Sequence, residues 1–262
     1  MPLLDGKVAV VTGGGGSGIG HGISLVLAKH GAHVAILEID LNAAEKVRHQ
    51  IEAADGSATV IHADIRSSID VRRAIDMVIE DRERLDIMVN NAGVGLIRAV
   101  AEASEEEFDQ LAAIDLRGMW LCCKYAILHM RRQKQGSIVN IASVHSRATL
   151  PQFGIYAAMK AGVTGLTRGI AVQYGPDGIR ANTVSPGLVD GKQTRDIVGK
   201  ISDDVEGYLN DFVKRDQALP QLIQPEDIGN LVAFLASDHA RMITGANIPV
   251  DAGMLAQLSS RQ

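Results

Sequence analysis

The chain has 262 residues, 26 Lys and Arg against 31 Asp and Glu for a formal net charge of −5, and 46% hydrophobic residues. Apolar content near half with mixed charges excludes a disordered chain, and mild acidity leaves no basic footprint for nucleic acid or an anionic membrane surface. Glycine is in excess at 27 residues while aromatic residues are scarce, and the length suits one large α/β domain or two small ones.

Met1 to Lys7 has no basic stretch followed by an apolar run, so no signal peptide is expected, and no stretch reaches the ~20 apolar residues that span a bilayer. A cytoplasmic protein with no membrane association follows as the expectation. Short Val- and Ile-rich runs then alternate with segments of helical period. Strands are expected at 7–12 (KVAVVT), 33–38 (HVAILE), 58–63, 86–90 (DIMVN), 137–142, 179–184 and 246–250. Helices fall between them: around Ile23–Leu27, at 43–53, and at 71–79, where apolar residues 71, 75, 78 and 79 share a face. Ser104 with Glu107 forms a capping box that opens a long helix to about Arg132. Further helices span 155–174 and 225–236, the latter with Pro at its first turn.

Continuous apolar strands alternating with helices imply a parallel sheet of about seven strands, covered on both faces, in a single domain. The exception is a segment over 188–217, with seven acids and five bases, read as a substrate lid or a mobile loop. Cys122 and Cys123 are adjacent and no CxxC or HExxH occurs, so buried thiols are expected, with no disulfide and no metal site.

The stretch 12–22, TGGGGSGIGHG, follows the first strand and opens a helix. Glycines there allow a tight turn and bring backbone N–H groups close to a pyrophosphate, with the helix N-terminus adding favourable charge. Glu38 ends the second strand, where a carboxylate accepts from both ribose hydroxyls and repels a 2′-phosphate; Ile39 follows it and the turn holds no basic residue. NAD rather than NADP is expected. His21, beside the turn, is read as structural.

Tyr156 and Lys160 share one helix face. A free tyrosine, with a pKa of about 10, is too weakly acidic to act as a base at neutral pH unless a neighbouring cation stabilises its phenolate. Ser143 ends the fifth strand at the carboxyl edge, where open α/β sheets bind ligands. The glycine turn, Asp64-Ile65, Asn90-Asn91-Ala92-Gly93, Ser143 with Tyr156 and Lys160, and Pro186-Gly187 occur in one order, and on these motifs the chain from about Lys7 to Gly253 resembles the compact branch of the short-chain dehydrogenase/reductase family.

The resemblance implies a Rossmann-type, doubly wound fold and an NAD-dependent oxidoreductase interconverting a secondary alcohol and a ketone. It places Gly14, Ser17, Gly18, Ile19 and Gly20 at the pyrophosphate and Glu38 at the adenosine ribose. Asp64 and Ile65 fall at the adenine, Asn91 and Gly93 on the ribose side, and Pro186, Gly187 and Val189 at the carboxamide. It makes Tyr156 the general acid/base, has Ser143 hold the substrate oxygen, and gives Lys160 the further task of binding the nicotinamide ribose. It also implies a homotetramer.

Three departures stand out. Four residues separate Gly13 from Gly18, so either Gly14 takes the first glycine place or the turn carries an extra residue. Asp115 stands where the family usually has an asparagine that serves a proton relay, through either its backbone or its side chain. Gly191 replaces a frequent threonine, with Thr194 three residues on. His145 and Gln152 are candidate substrate contacts, each with a surface or structural role as the alternative. Met119, Trp120 and Tyr125 are read as core or subunit contacts. A sugar, a polyol or another small hydroxylated compound is the expected substrate. A 3-oxoacyl-thioester reductase is the enzymatic alternative, and a non-catalytic NAD-binding redox sensor the alternative of another class.

Overall fold

Alternate residues along each strand face opposite sides of a sheet, and here both sides are apolar. Val8 and Val10 face one layer and Ala9 and Val11 the other; Ala35 and Leu37 oppose Val34 and Ile36 in the same way. A sheet buried on both faces is therefore imposed by the strand sequences themselves. The computed structural model describes residues 2–257. Its seven strands are β1 (Val8–Thr12), β2 (His33–Glu38), β3 (Ser57–His62), β4 (Ile87–Asn90), β5 (Gly136–Ile141), β6 (Ile179–Pro186) and β7 (Asn247–Val250). All pair in parallel, in the order β3-β2-β1-β4-β5-β6-β7. The order reverses between β1 and β4, which opens a crevice at the carboxyl ends of those strands.

The helices are α1 (Ile19–Lys29), α2 (Leu41–Ala53), α3 (Ser68–Arg82), α4 (Glu105–Ala112), α5 (Met119–Gln133), α6 (Gly154–Tyr174), α7 (Lys192–Val198), α8 (Val205–Asp216) and α9 (Pro225–Ala236). Residues of α1, α2 and α9 contribute to one apolar layer, those of α3, α5 and α6 to the other. The contact of α1 with α9 needs glycine: a Cβ on Gly22 would lie 2.4 Å from the Pro225 carbonyl carbon, and one on Gly229 would lie 2.9 Å from Gly22 O. Caps fix where helices start. Asp40 accepts from Ala43 N–H, Ser67 from Asp70 N–H, and Ser104 and Glu107 form the expected reciprocal box.

One expectation is corrected. The single helix from Ser104 to about Arg132 is interrupted: α4 and α5 are joined by a π-helical stretch, Ala113–Gly118, that adds a residue to the turn. Periodicity missed it because the flanking helical pattern continues on both sides. The segment 188–217 carries α7 and α8, and Asp204 caps the second through Gly207 N–H. Both cysteines are buried free thiols, and no group of metal-ligating side chains occurs among the described residues. None of the described helices is long and apolar enough to cross a membrane.

Candidate active site

The glycine turn lies at the carboxyl end of β1. Gly13 adopts φ +62° and donates its N–H to Leu37 O at 2.8 Å. A Cβ on Gly20 would fall 1.9 Å from Gly13 O, a contact only glycine permits. Gly14 packs inward on Ser24 and Ile36, while Gly16 is exposed at φ +77° with no neighbour for a Cβ. Gly14 thus lies on the inner side of the turn and Gly16 on its outer side. Gly18 caps α1 without any side-chain hydrogen bond, which leaves the first-turn N–H groups available to an anion. His21 is engaged by Gln50 at 2.7 Å.

Neighbouring strand ends complete this side. Glu38 accepts from Gly15 N–H at 3.2 Å and Ile39 N–H at 2.9 Å, which anchors its carboxylate beside the turn. Asn91 donates to Thr12 O and Gly13 O, and Thr12 Oγ1 accepts from the N–H groups of Asn91 and Ala92. The Asn91 amide nitrogen is thus committed to bracing the turn. Asp64 receives Arg66 through Nε and Nη2; that hydrogen bonding holds its carboxyl below the usual range. Ile65 is buried and leaves no space for a side chain at Gly118 on the π-helical stretch.

On the other side of the crevice, α6 carries Tyr156 and Lys160 one turn apart. Lys160 is 5% exposed, and its Nζ lies 5.5 Å from the Tyr156 ring centroid and 2.9 Å from Asp115 Oδ2. Burial pulls the Lys160 ammonium down, but Tyr156 and Asp115 outweigh it and hold the group above its ordinary value. Asp115 Oδ1 accepts from Val94 N–H at 2.8 Å. Ser143 follows β5 in extended conformation, buried, and its Oγ accepts from His145 N–H to start a 3-10 turn at Val144–Ser146.

His145 stacks on Phe153 at 4.5 Å, meets the Tyr156 ring edge-on at 5.6 Å and is held by Thr149 Oγ1 through Nδ1. Burial pushes its imidazole below the usual range, so it is neutral at pH 7. Gln152 is exposed at φ +68°; its carbonyl accepts from Arg98 N–H, and its side chain makes no hydrogen bond among the described residues. Geometry therefore brings His145 to the tyrosine and leaves Gln152 on the rim.

The segment after β6 packs beside the glycine turn. Gly187 N–H donates to Val250 O, Val189 is buried and bridges to Ile223, and Thr194 Oγ1 donates to Val189 O at 2.7 Å. A Cβ on Gly191 would lie 3.2 Å from Ser17 O, so the absence of a side chain lets this segment rest on the glycine turn. From α7, Gln193 and Ile197 reach Gly95. Arg195 pairs with Asp190 and with Glu206, which ties α7 to both flanks.

Comparison with known proteins agrees with this geometry. A family model described as "Enoyl-(Acyl carrier protein) reductase" matches residues 14–255. A short-chain dehydrogenase/reductase of Armillaria gallica is 38% identical over 256 residues, covering 97% of each chain. The chain belongs to the short-chain dehydrogenase/reductase family. Meso-2,3-butanediol dehydrogenase of Serratia marcescens is 35% identical, over 97% of this chain and 96% of that one, and D-threitol dehydrogenase of Mycolicibacterium smegmatis is 35% identical, over 95% and 93%. A crystal structure from Burkholderia xenovorans described as a member of this family superposes with TM-score 0.94 at 34% identity, over 99% of this chain and all of that one.

Short-chain dehydrogenase/reductases are oxidoreductases that typically use a nicotinamide dinucleotide. The residues present fit such a group, because the cradle at Gly13 and Gly20 is one a Cβ would fill and α1 begins without a side-chain cap. Sequence reasoning overlooked Phe153, whose ring backs His145, and the role of Gly93. A Cβ there would lie 3.1 Å from Asp115 Oδ2 and 3.2 Å from Lys160 Nζ. The glycine was visible in the motif, but what it covers depends on the π-helical stretch.

Proposed function

We propose that the protein is an NAD-dependent dehydrogenase that interconverts a secondary alcohol and a ketone, with a small polyol or vicinal diol as substrate. The observation that carries the reading is Lys160, buried beneath the Tyr156 ring with Ser143 at the adjoining strand end. In the oxidative direction Tyr156 Oη takes the hydroxyl proton, and Ser143 Oγ donates a hydrogen bond to the substrate oxygen as charge develops on it. The Lys160 ammonium stabilises the phenolate. In reduction Tyr156 returns the proton. A bound dinucleotide would supply the hydride acceptor or donor through its nicotinamide; Gly14, Ser17, Gly18, Ile19 and Gly20 would hold its pyrophosphate, Glu38, Asp64, Ile65, Asn91 and Gly93 its adenosine side, and Pro186, Gly187 and Val189 its carboxamide. The segment 188–217 serves as the lid of a single domain.

The choice of NAD is supported by Glu38, whose carboxylate faces the turn and opposes a 2′-phosphate, beside Ile39 rather than a basic residue. The polyol reading is supported by neutral His145 next to Tyr156 and by the substrates named for the butanediol and threitol dehydrogenase relatives. The acyl-carrier description of the matching family model favours a thioester reductase as the second reading. The acids outnumbering bases in 188–217 oppose an anionic carrier there.

A panel of diols, polyols, simple secondary alcohols and 3-oxoacyl thioesters, each assayed with NAD(H) and NADP(H), decides between these readings. Turnover of diols with NAD is expected. Tyr156→Phe should lose about 10²–10⁴-fold in kcat while retaining NADH binding by fluorescence. Undiminished turnover in that variant, or thioester turnover with NADPH alone, would overturn the assignment.

A further inference from the structure

The ion pair beneath the tyrosine is one the proposed mechanism uses only in half. Lys160 is almost wholly removed from water, and desolvation of that degree alone lowers a lysine by several pH units. A buried amine of that kind is neutral near pH 8 and offers no charge to a phenolate. Asp115 prevents this. The π-helical stretch turns its side chain inward until none of it is exposed, Oδ2 comes within 2.9 Å of Nζ, and Oδ1 is anchored on Val94 N–H. Oδ2 accepts no well-aligned hydrogen bond among the described residues, so its effect on Lys160 is chiefly charge on charge. Gly93, without a side chain, covers the pair.

We propose that Asp115 is a positioning residue whose carboxylate is the resident counter-ion of Lys160, keeping the ammonium charged and in place under Tyr156 into the alkaline range where alcohol oxidation is favoured. The inference rests on the dehydrogenase reading only for its kinetic consequence. The other titratable groups on the elements around the pair are few and, Tyr156 apart, engaged elsewhere. On α6 itself there is Tyr156. His145, from the 3-10 turn, titrates below the usual imidazole range. Cys123, from α5, is pushed up to about 12 by burial. Glu107 of α4 is spent on Arg98 at the surface, and Arg117 of the π-helical stretch donates outward to Arg66 O. Among the described residues, Asp115 is thus the one group placed to hold the lysine's charge before the tyrosine ionises.

Asp115→Asn separates charge from shape, because the amide oxygen still accepts from Val94 N–H. The first arm needs neither cofactor nor substrate: thermal unfolding of the ligand-free protein and the variant across neutral to alkaline pH. If the neutral amide leaves Lys160 partly deprotonated in the folded variant, the unfolded chain binds more protons than the folded one, and the variant gains stability relative to wild type as pH rises. The Tm gap should narrow by about 3 °C per pH unit until it closes. The second arm is kcat/KM for oxidation against pH: the variant retains substantial activity near neutrality and develops a falling alkaline limb, about tenfold per pH unit, where wild type stays level. A Tm gap independent of pH overturns the inference whatever the substrate is, and so does an unchanged kinetic profile in an active variant. Failure of every substrate with a narrowing gap overturns the dehydrogenase reading alone.

Discussion

Gly20 shows how one residue can decide a site. Its Cβ position is filled by a backbone carbonyl of the same turn, and that atom cannot move without dragging Gly13 away from Leu37 O. Gly20→Ala should lower the Tm by an amount equivalent to ~2 kcal/mol or more, and it should abolish NADH binding by fluorescence titration. An alanine variant that binds NADH normally would show that the turn opens at little cost. That Tyr156 and Lys160 share one face was readable from spacing, since a four-residue step on a helix has one geometry, and Ser143 was readable as the end of the fifth strand. The Asp115 contact was not. The sequence showed a carboxylate at the position, but whether its side chain or its backbone faces the lysine depends on a local change of helical winding. Gln152, the other candidate beside the tyrosine, is exposed with a left-handed backbone, a conformation its sequence position did not reveal.

Elements were read well where their signal is local. The capping box at Ser104 and Glu107, the proline start of α9 and the alternating strands are written in residues a few positions apart. Ser104→Ala should cost about 1 kcal/mol, or roughly 2–4 °C in Tm, with kcat unchanged, because the box is exposed and its hydrogen bonds stay within the first turn of α4. A drop in kcat at constant Tm would mean instead that α4 positions the π-helical stretch. The interruption between α4 and α5 and the two helices over 188–217 escaped. A π turn leaves the apolar spacing of its flanks intact, and α7, at seven residues, has too short a period to register.

For the whole molecule, the apolar residues left exposed on α5 and α6 matter most. Trp120 is 42% exposed, Leu128 48% and Val172 82%. Trp120 and Leu128 are eight apart on one stripe of α5, with the Lys124 ammonium over the Trp120 ring between them. The family resemblance implies a homotetramer, and in such an assembly these exposed apolar residues of α5 and α6 are the ones a second copy would cover. Leu128→Glu should reduce the mass measured by light scattering, while a wild-type protein that runs as a monomer would overturn the assembly. Met119, by contrast, is buried, and Tyr125 is tied to Ser68, so the subunit reading for that helix narrows to Trp120 and its stripe.

The amino-acid sequence by itself determined the parallel sheet and the family, because each rests on short-range pattern or on motif order, and the same motifs mark the glycine turn, Ser143, Tyr156 and Lys160 as the candidate site. Tertiary structure alone decided which groups meet across the crevice: Asp115 with Lys160, His145 with Phe153 and Tyr156, Gly191 with the glycine turn. Two of those contacts join segments far apart in the chain and the third closes a turn eight to eleven residues long, and their geometry follows from strand order, a single π-helical turn and the packing of the segment after β6. No local periodicity encodes any of the three.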